Sequence, residues 1–180
     1  MKEVRWHGRG GQGSFTIARL LGSAAVINEG KHALAFPSFG PERRGAPVLG
    51  FTRISDEKIR DRSEVRECDY VVVLDETLID ENTNGGLREG GKMIINTTEI
   101  GKYQDMFGDI VIGLDATTLA LEHIGRPITN TAMMGALIAV SGIVGLDSAL
   151  NAIDSEMKPS IAEKNKGVVK VAYELMKGAL

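Results

Sequence analysis

Two stretches of the chain and three single residues are of types and at positions that could do chemistry. Gly8, Gly10 and Gly13 form a G-x-G-x-x-G pattern within Gly8-Arg9-Gly10-Gly11-Gln12-Gly13. Glycines so spaced permit positive φ angles and bring backbone N–H groups close to an anion, so one reading is a phosphate seated at the start of a following helix. A tight turn that lets a helix pack closely is a second reading, and a partner-facing loop is a third. The segment Phe36-Pro37-Ser38-Phe39-Gly40-Pro41-Glu42-Arg43-Arg44-Gly45-Ala46-Pro47 combines three prolines, two phenylalanines and two adjacent arginines. Guanidiniums at Arg43 and Arg44 could clamp a phosphate or carboxylate, with Glu42 orienting one of them. A solvated turn whose charges neutralise each other is the alternative. Asp75 and Asp115 each end an apolar run, and Asn130 precedes one. Helix capping is the first expectation for all three, and ligand contact the second.

These residues need elements to position them. Glu3-Val4-Arg5-Trp6-His7 reads as a short strand entering the glycine loop. A helix follows, with Ser14 as expected N-cap, Ile17, Leu20, Leu21, Ala24 and Ala25 along one face, and Gly30 as its stop. Strands are expected at 32–36 and 48–54, joined by the proline-rich segment. Tyr70-Val71-Val72-Val73-Leu74 is a β-branched run suited to a strand buried on both faces of a parallel sheet. A helix over 77–81, strands over 92–96 and 109–114, a buried helix over 131–144 and an amphipathic helix from Pro159 to Lys177 complete the pattern. The fold class this predicts is α/β: a Rossmann-like three-layer sandwich with a mostly parallel central sheet and a helical C-terminal third, formed by residues 1–180 as one domain.

Composition removes several functions. Of 180 residues, 43% are hydrophobic, and 24 acidic against 21 basic side chains leave a formal charge of −3. Between Arg43 and Arg66 basic and acidic side chains interleave, so no nucleic-acid patch is expected. No metal is expected, because His7, His32 and His123 lie in no ligand spacing. One cysteine, Cys68, makes no disulfide or iron–sulfur cluster by itself; it is read as a buried small residue, a reactive thiol being the alternative. The apolar run 132–146 is too short to span a membrane, and the N-terminus lacks a signal-peptide pattern, so a cytoplasmic location with no membrane partner is expected. A dinucleotide site would need an acid after the second strand, where the chain reads Ala35-Phe36-Pro37-Ser38.

Taken together, Trp6 to Gly13, Phe36 to Pro47 and Asp69-Tyr70-Val71-Val72-Val73-Leu74-Asp75 resemble the gamma subunit of 2-oxoacid:ferredoxin oxidoreductases, the pyruvate synthase group in particular. The resemblance extends over essentially the whole chain, including Arg53-Ile54-Ser55-Asp56, Ile59-Arg60, Asn96-Thr97-Thr98 and the segment from Asn130 to Ala136.

It implies a non-catalytic subunit of an enzyme that oxidatively decarboxylates a 2-oxoacid, pyruvate first, with coenzyme A as co-substrate and ferredoxin as electron acceptor. Thiamine diphosphate and iron–sulfur clusters would then sit in partner chains, namely alpha, beta and ferredoxin-like delta subunits, with no cofactor bound by this chain alone. By the same resemblance Gly8, Gly10, Gly11, Gly13, Arg43 and Arg44 are candidates for contacting CoA phosphates or a catalytic partner. The 36–47 loop and the mixed-charge 53–67 stretch are the expected partner interface, and an isolated chain with that surface uncovered is expected to form a symmetric dimer. Two other readings stand beside this one: a free-standing dinucleotide-dependent dehydrogenase, and an assembly module with no ligand of its own.

Overall fold

The computed structural model describes residues 1–38 and 44–178. Six strands form one sheet: β1 Lys2–Arg9, β2 His32–Pro37, β3 Pro47–Ser55, β4 Cys68–Val73, β5 Leu87–Asn96 and β6 Val111–Leu114. Their order is β2-β3-β1-β4-β5-β6. β1 pairs in parallel with β4, β4 with β5 and β5 with β6, whereas β3 runs antiparallel to both β1 and β2. The mostly parallel sheet is thus present, with β3 as the strand that reverses. It makes a hairpin-like excursion with β2 in place of a second helical crossover.

Six helices cover the sheet: α1 Ser14–Glu29, α2 Ile100–Phe107, α3 Ala116–Ile124, α4 Asn130–Ser141, α5 Leu146–Glu156 and α6 Pro159–Lys177. Alternation along the strands sorts the two faces. Val4, Trp6, Val72 and Ile94 join the core beneath α1 and α3 to α6, while Val71, Val73, Met93 and Ile95 pack with Tyr103 of α2 on the other side. The sandwich is therefore uneven, with five helices on one face and α2 plus irregular segments on the other.

α4 is buried from Asn130 to Ile138 without a break, as its all-round apolar sequence requires. A Cβ on its Gly135 would meet the Val169 carbonyl of α6 at 2.6 Å, so glycine permits that close crossing. α6 spans the predicted residues, with Pro159 in its first turn. Three sequence expectations are corrected. The 77–81 helix is a single 3-10 turn, Glu76–Leu78, because Asp80 turns the chain by accepting from Asn82 N–H and the Thr83 hydroxyl. α4 stops at Ser141, where Gly142 takes a left-handed conformation. Gly13, not Ser14, is the N-cap of α1. Among the described residues no helix is long and apolar enough to cross a membrane.

Candidate functional site

β1 delivers the glycine loop to the carboxyl end of the parallel strands, the edge where open α/β sheets gather ligands. Gly8 still belongs to β1, opposite Val48 of β3, and a side chain there would collide with the Ser14 hydroxyl. Gly11 and Gly13 have φ of +97° and +80°, and a Cβ on Gly13 would meet Asn130 Nδ2 at 2.5 Å. Gly10 is stitched to the far side of the proline-rich segment: its N–H donates to Ala46 O at 2.8 Å, and its carbonyl accepts from Gly45 N–H at 3.0 Å. A backbone bridge also joins Gly10 and Arg44. The structure thereby brings Gly8, Gly10, Gly11, Gly13 and exposed Arg44 together. Arg43 and Glu42 lie outside the described residues.

What holds the loop is Asp75, after β4. One carboxylate oxygen accepts from Arg9 Nε at 3.1 Å and Gln12 Nε2 at 3.0 Å; the other accepts from Thr77 N–H at 3.1 Å and the Thr77 hydroxyl at 2.5 Å. Gln12 closes the ring by accepting from Arg9 N–H at 2.7 Å. Burial works against the charge on Asp75, but the bonds from Thr77 and Gln12 and the Arg9 charge outweigh it and hold its pKa below the usual carboxylate value. The expectation that Asp75 caps the next turn is met, and its hold on the glycine loop is the role that sequence reasoning missed. Arg9 also donates to Gly45 O and Thr77 Oγ1, so its guanidinium positions the loop.

A groove of about 310 Å³ opens over this loop and the first turn of α1, floored by Gly10, Gly11 and Ser14 and walled by Phe15, Thr16 and Val48. Among the described residues the N–H groups of Ser14, Phe15 and Thr16 meet no acceptor, and the 16-residue helix behind them concentrates partial positive charge at that end. Ser14 is 3% exposed, and its hydroxyl has no hydrogen-bond partner. A buried polar atom left unpaired in a native fold points to a missing partner. The groove therefore offers donors, and an anion of phosphate size suits it.

The surrounding polar groups are spoken for. Asn96 ties Leu74 O, Thr117 and Ala116 N–H together, and Asp115 caps α3 through Thr118 N–H. Glu76 accepts from Thr97 at 2.5 Å and from Tyr103 at 3.0 Å; burial and that carboxylate push the Tyr103 phenol up to about 12. Asn130 does not cap α4 as expected: Thr129 is the N-cap, without a side-chain cap bond, and Asn130 is the first helical residue, its side chain accepting from the adjacent Thr131 N–H at 2.9 Å. Burial also raises the Cys68 thiol, which disfavours a nucleophilic thiolate. Among the described residues no cluster of His, Cys, Asp and Glu could hold a metal ion.

At the opposite end of the sheet lies a charge network the sequence hid. Arg53, expected in a partner-facing mixed-charge stretch, is buried; its Nε bonds Glu3 at 2.6 Å, and it donates to Asp61 O and Ser63 O. Arg88 joins Glu3 to Asp69, which also takes Lys2 at 2.9 Å. The one available signal was Glu3 and Arg5 alternating with Val4 and Trp6, which puts two charges on a buried strand face. The topology also weighs against a dinucleotide. β3 occupies the place beside β1, so the end of β2 lies a further strand spacing, about 4.8 Å, from the glycine loop and carries no acid.

Comparison with known proteins adds to this geometry. The model of a family described as pyruvate ferredoxin/flavodoxin oxidoreductase matches residues 3–175. The chain is 48% identical over 178 residues to pyruvate synthase subunit PorC of Methanothermobacter marburgensis, covering 98% of each chain. It is 44% identical over 180 residues to the pyruvate/ketoisovalerate oxidoreductases common subunit gamma of Thermococcus litoralis, covering 97% of this chain and 96% of that one. The structure of pyruvate oxidoreductase subunit PORC from Thermotoga maritima superposes with a TM-score of 0.84 at 38% identity, covering 96% and 95% of the two chains. At 16% identity, a likeness of fold alone, 99% of the chain superposes with a TM-score of 0.77 on 31% of a chain of the Magnetococcus marinus 2-oxoglutarate:ferredoxin oxidoreductase, a structure with 2-oxoglutarate, coenzyme A and succinyl-CoA bound.

Proposed function

The chain belongs to the pyruvate ferredoxin/flavodoxin oxidoreductase family as the gamma subunit of a multi-subunit 2-oxoacid:ferredoxin oxidoreductase, and on that premise we propose that it holds a phosphate of coenzyme A at the N-terminus of α1. In the complete enzyme a 2-oxoacid, here pyruvate, loses carbon dioxide, its acyl group forms a thioester with coenzyme A, and the electrons released pass to ferredoxin. The residues of this chain do not fit the redox groups that reaction needs, since its one thiol is buried and stands alone. Thiamine diphosphate and the iron–sulfur clusters are assigned on this reading to alpha, beta and ferredoxin-like delta subunits, and the gamma chain works as one domain packed against them.

The observation that carries the phosphate assignment is the set of open N–H groups of Ser14, Phe15 and Thr16 at one helix end, on residues that line the groove over the glycine loop. Donors fixed by backbone geometry favour an anion without the reordering that mobile side chains need. Exposed Arg44, bridged to Gly10, adds long-range attraction, and Arg43 is its neighbour in the sequence. The Magnetococcus complex that shares the fold carries coenzyme A, which supports that choice of phosphate.

Thr16→Glu in the assembled enzyme tests the assignment. Thr16 is exposed at the groove wall, and an acid in the first turn stabilises a helix by about 0.3–1 kcal/mol, so folding is preserved while a phosphate is repelled. The apparent KM for coenzyme A is expected to rise about tenfold, equivalent to about 1.4 kcal/mol, with the KM for pyruvate unchanged. An unaltered KM for coenzyme A would remove the phosphate from this groove.

A further inference from the structure

We propose that β2 is a self-pairing edge through which two copies of this chain join, antiparallel, about a twofold axis at Leu34. The hydrogen-bond parity of β2 shows which of its groups find no partner among the described residues. Ser38 N–H donates to Leu49 O at 2.8 Å, one pair beyond the register His32↔Ser55 to Pro37↔Gly50. Alternation in an antiparallel ladder then directs the N–H and C=O of His32, Leu34 and Phe36 into β3, and those of Ala33 and Ala35 outward. Pro37 falls at an outward position, where its missing N–H costs β3 nothing.

Edge strands are commonly guarded by lysine, bulges or a covering element. His32-Ala33-Leu34-Ala35-Phe36-Pro37 carries no lysine, arginine or acid, and a groove of about 270 Å³ separates it from α1, where Val26 and Ile27 are 47% and 61% exposed. The other edge, β6, is four residues long.

The occupant is a second copy because the edge is its own complement. With Leu34 on the axis, Ala33 faces Ala35 of the other copy and Ala35 faces its Ala33, and both pairs exchange N–H···O bonds. Leu34 meets its own counterpart between them, and His32 meets Phe36, so no like charges are opposed. Ala33 and Ala35 point to the α1 face, so the exposed Val26 and Ile27 of both copies flank the joint and are covered along with it. Arg19 at the rim is neutralised by Glu156 at 2.9 Å.

Sedimentation or light scattering of the full chain at about 100 µM should give twice the 19.3 kDa of one chain. Ala35→Pro removes an outward donor and leaves the β2–β3 ladder intact, and Ile27→Lys charges the flank; each should return the mass to that of one chain while the far-ultraviolet circular dichroism stays that of the folded wild type. Leu34→Cys is the register test. A non-hydrogen-bonded antiparallel pair has Cα atoms about 4.5 Å apart, within disulfide range, and native Cys68 is fully buried. Mild oxidation should convert most of that variant to a covalent dimer. A wild-type monomer at that concentration, a dimer indifferent to both edge variants, or an introduced thiol that links only to another subunit of the holoenzyme would each overturn the proposal, the last by giving the edge to a partner strand.

Discussion

Replacing Asp75 by asparagine changes one atom and should loosen the whole glycine loop. The amide oxygen can still accept from Thr77, but its NH₂ then faces Arg9 Nε and Gln12 Nε2, donor against donor, in place of bonds of 3.1 and 3.0 Å. Fully buried charge-assisted bonds are worth about 1.5–3 kcal/mol each. The side chains of Arg9 and Asp75 are 34% and 18% exposed, so water competes and about 1 kcal/mol per bond is the better figure. A loss of about 2 kcal/mol lowers the melting temperature of a chain this size by about 4–8 °C. In the holoenzyme the slackened loop should raise the KM for coenzyme A several-fold and leave that for the 2-oxoacid alone. Arg9→Met should act in the same direction, and the double variant should lose less than the sum of the two single losses, because both remove the Arg9–Asp75 bond while the bonds of Arg9 to Gly45 O and Thr77 and of Gln12 to Asp75 are lost separately. Thermal melts of the chain and steady-state kinetics of the complex supply the readouts. A melting temperature within 1 °C of wild type would refute the idea that this carboxylate fastens the loop.

Two further outcomes follow from the opposite end of the sheet and from β1. Glu3→Ala strands the buried Arg53 guanidinium, and since removing one partner of a buried pair costs about 3–5 kcal/mol, urea unfolding should show a loss near the lower bound, as Arg53 keeps its bonds to Asp61 O and Ser63 O; a loss under about 1 kcal/mol would contradict the burial. His7 is held neutral: burial first, then the Arg5 charge, lowers its pKa to about 4, and its Nε2 accepts from Arg5 Nε at 3.0 Å. The unfolded chain therefore binds an extra proton between pH 6.5 and 4, so stability should fall across that window as pH drops, by up to about 3 kcal/mol. His7→Gln should flatten the slope there, and an unchanged slope would assign it to other groups.

Much of the site was legible because its signals are local. A β-strand, closely spaced glycines and a helix follow one another within thirty residues, and the β-branched run ending at Asp75 sits where the loop needs an anchor. The buried Ser14 hydroxyl was misread as a cap because serine before a helix usually is one; the left-handed φ at Gly13 moves the cap back by a residue. Contacts distant in sequence were hidden. Asp75 lies 66 residues from Arg9, and Glu3 lies 50 from Arg53, so neither partnership leaves a pattern in a short window. α2, α3 and α5 were passed over because short helices with mixed faces give weak periodicity, whereas α6, with a proline start and a full apolar stripe, was read to its ends. The reversal of β3 depends on the 36–47 connection, and proline content predicts irregularity there without predicting direction.

The interior position of β1 has a consequence for how the protein is made. β1 is paired on one flank by β3 and on the other by β4, both later in the chain, so it has both neighbours only after Val73 has been synthesised. At roughly 5–20 residues per second this leaves β1 unpaired for several seconds, with Val4 and Trp6 exposed on a nascent chain. Lys2 and Glu3 just before Val4, and Arg5 between Val4 and Trp6, keep that segment soluble while it waits. The same Glu3 that later closes a buried ion pair thus first serves as a gatekeeper against aggregation, which ties the charge of the opening residues to biosynthesis as well as to the finished sheet.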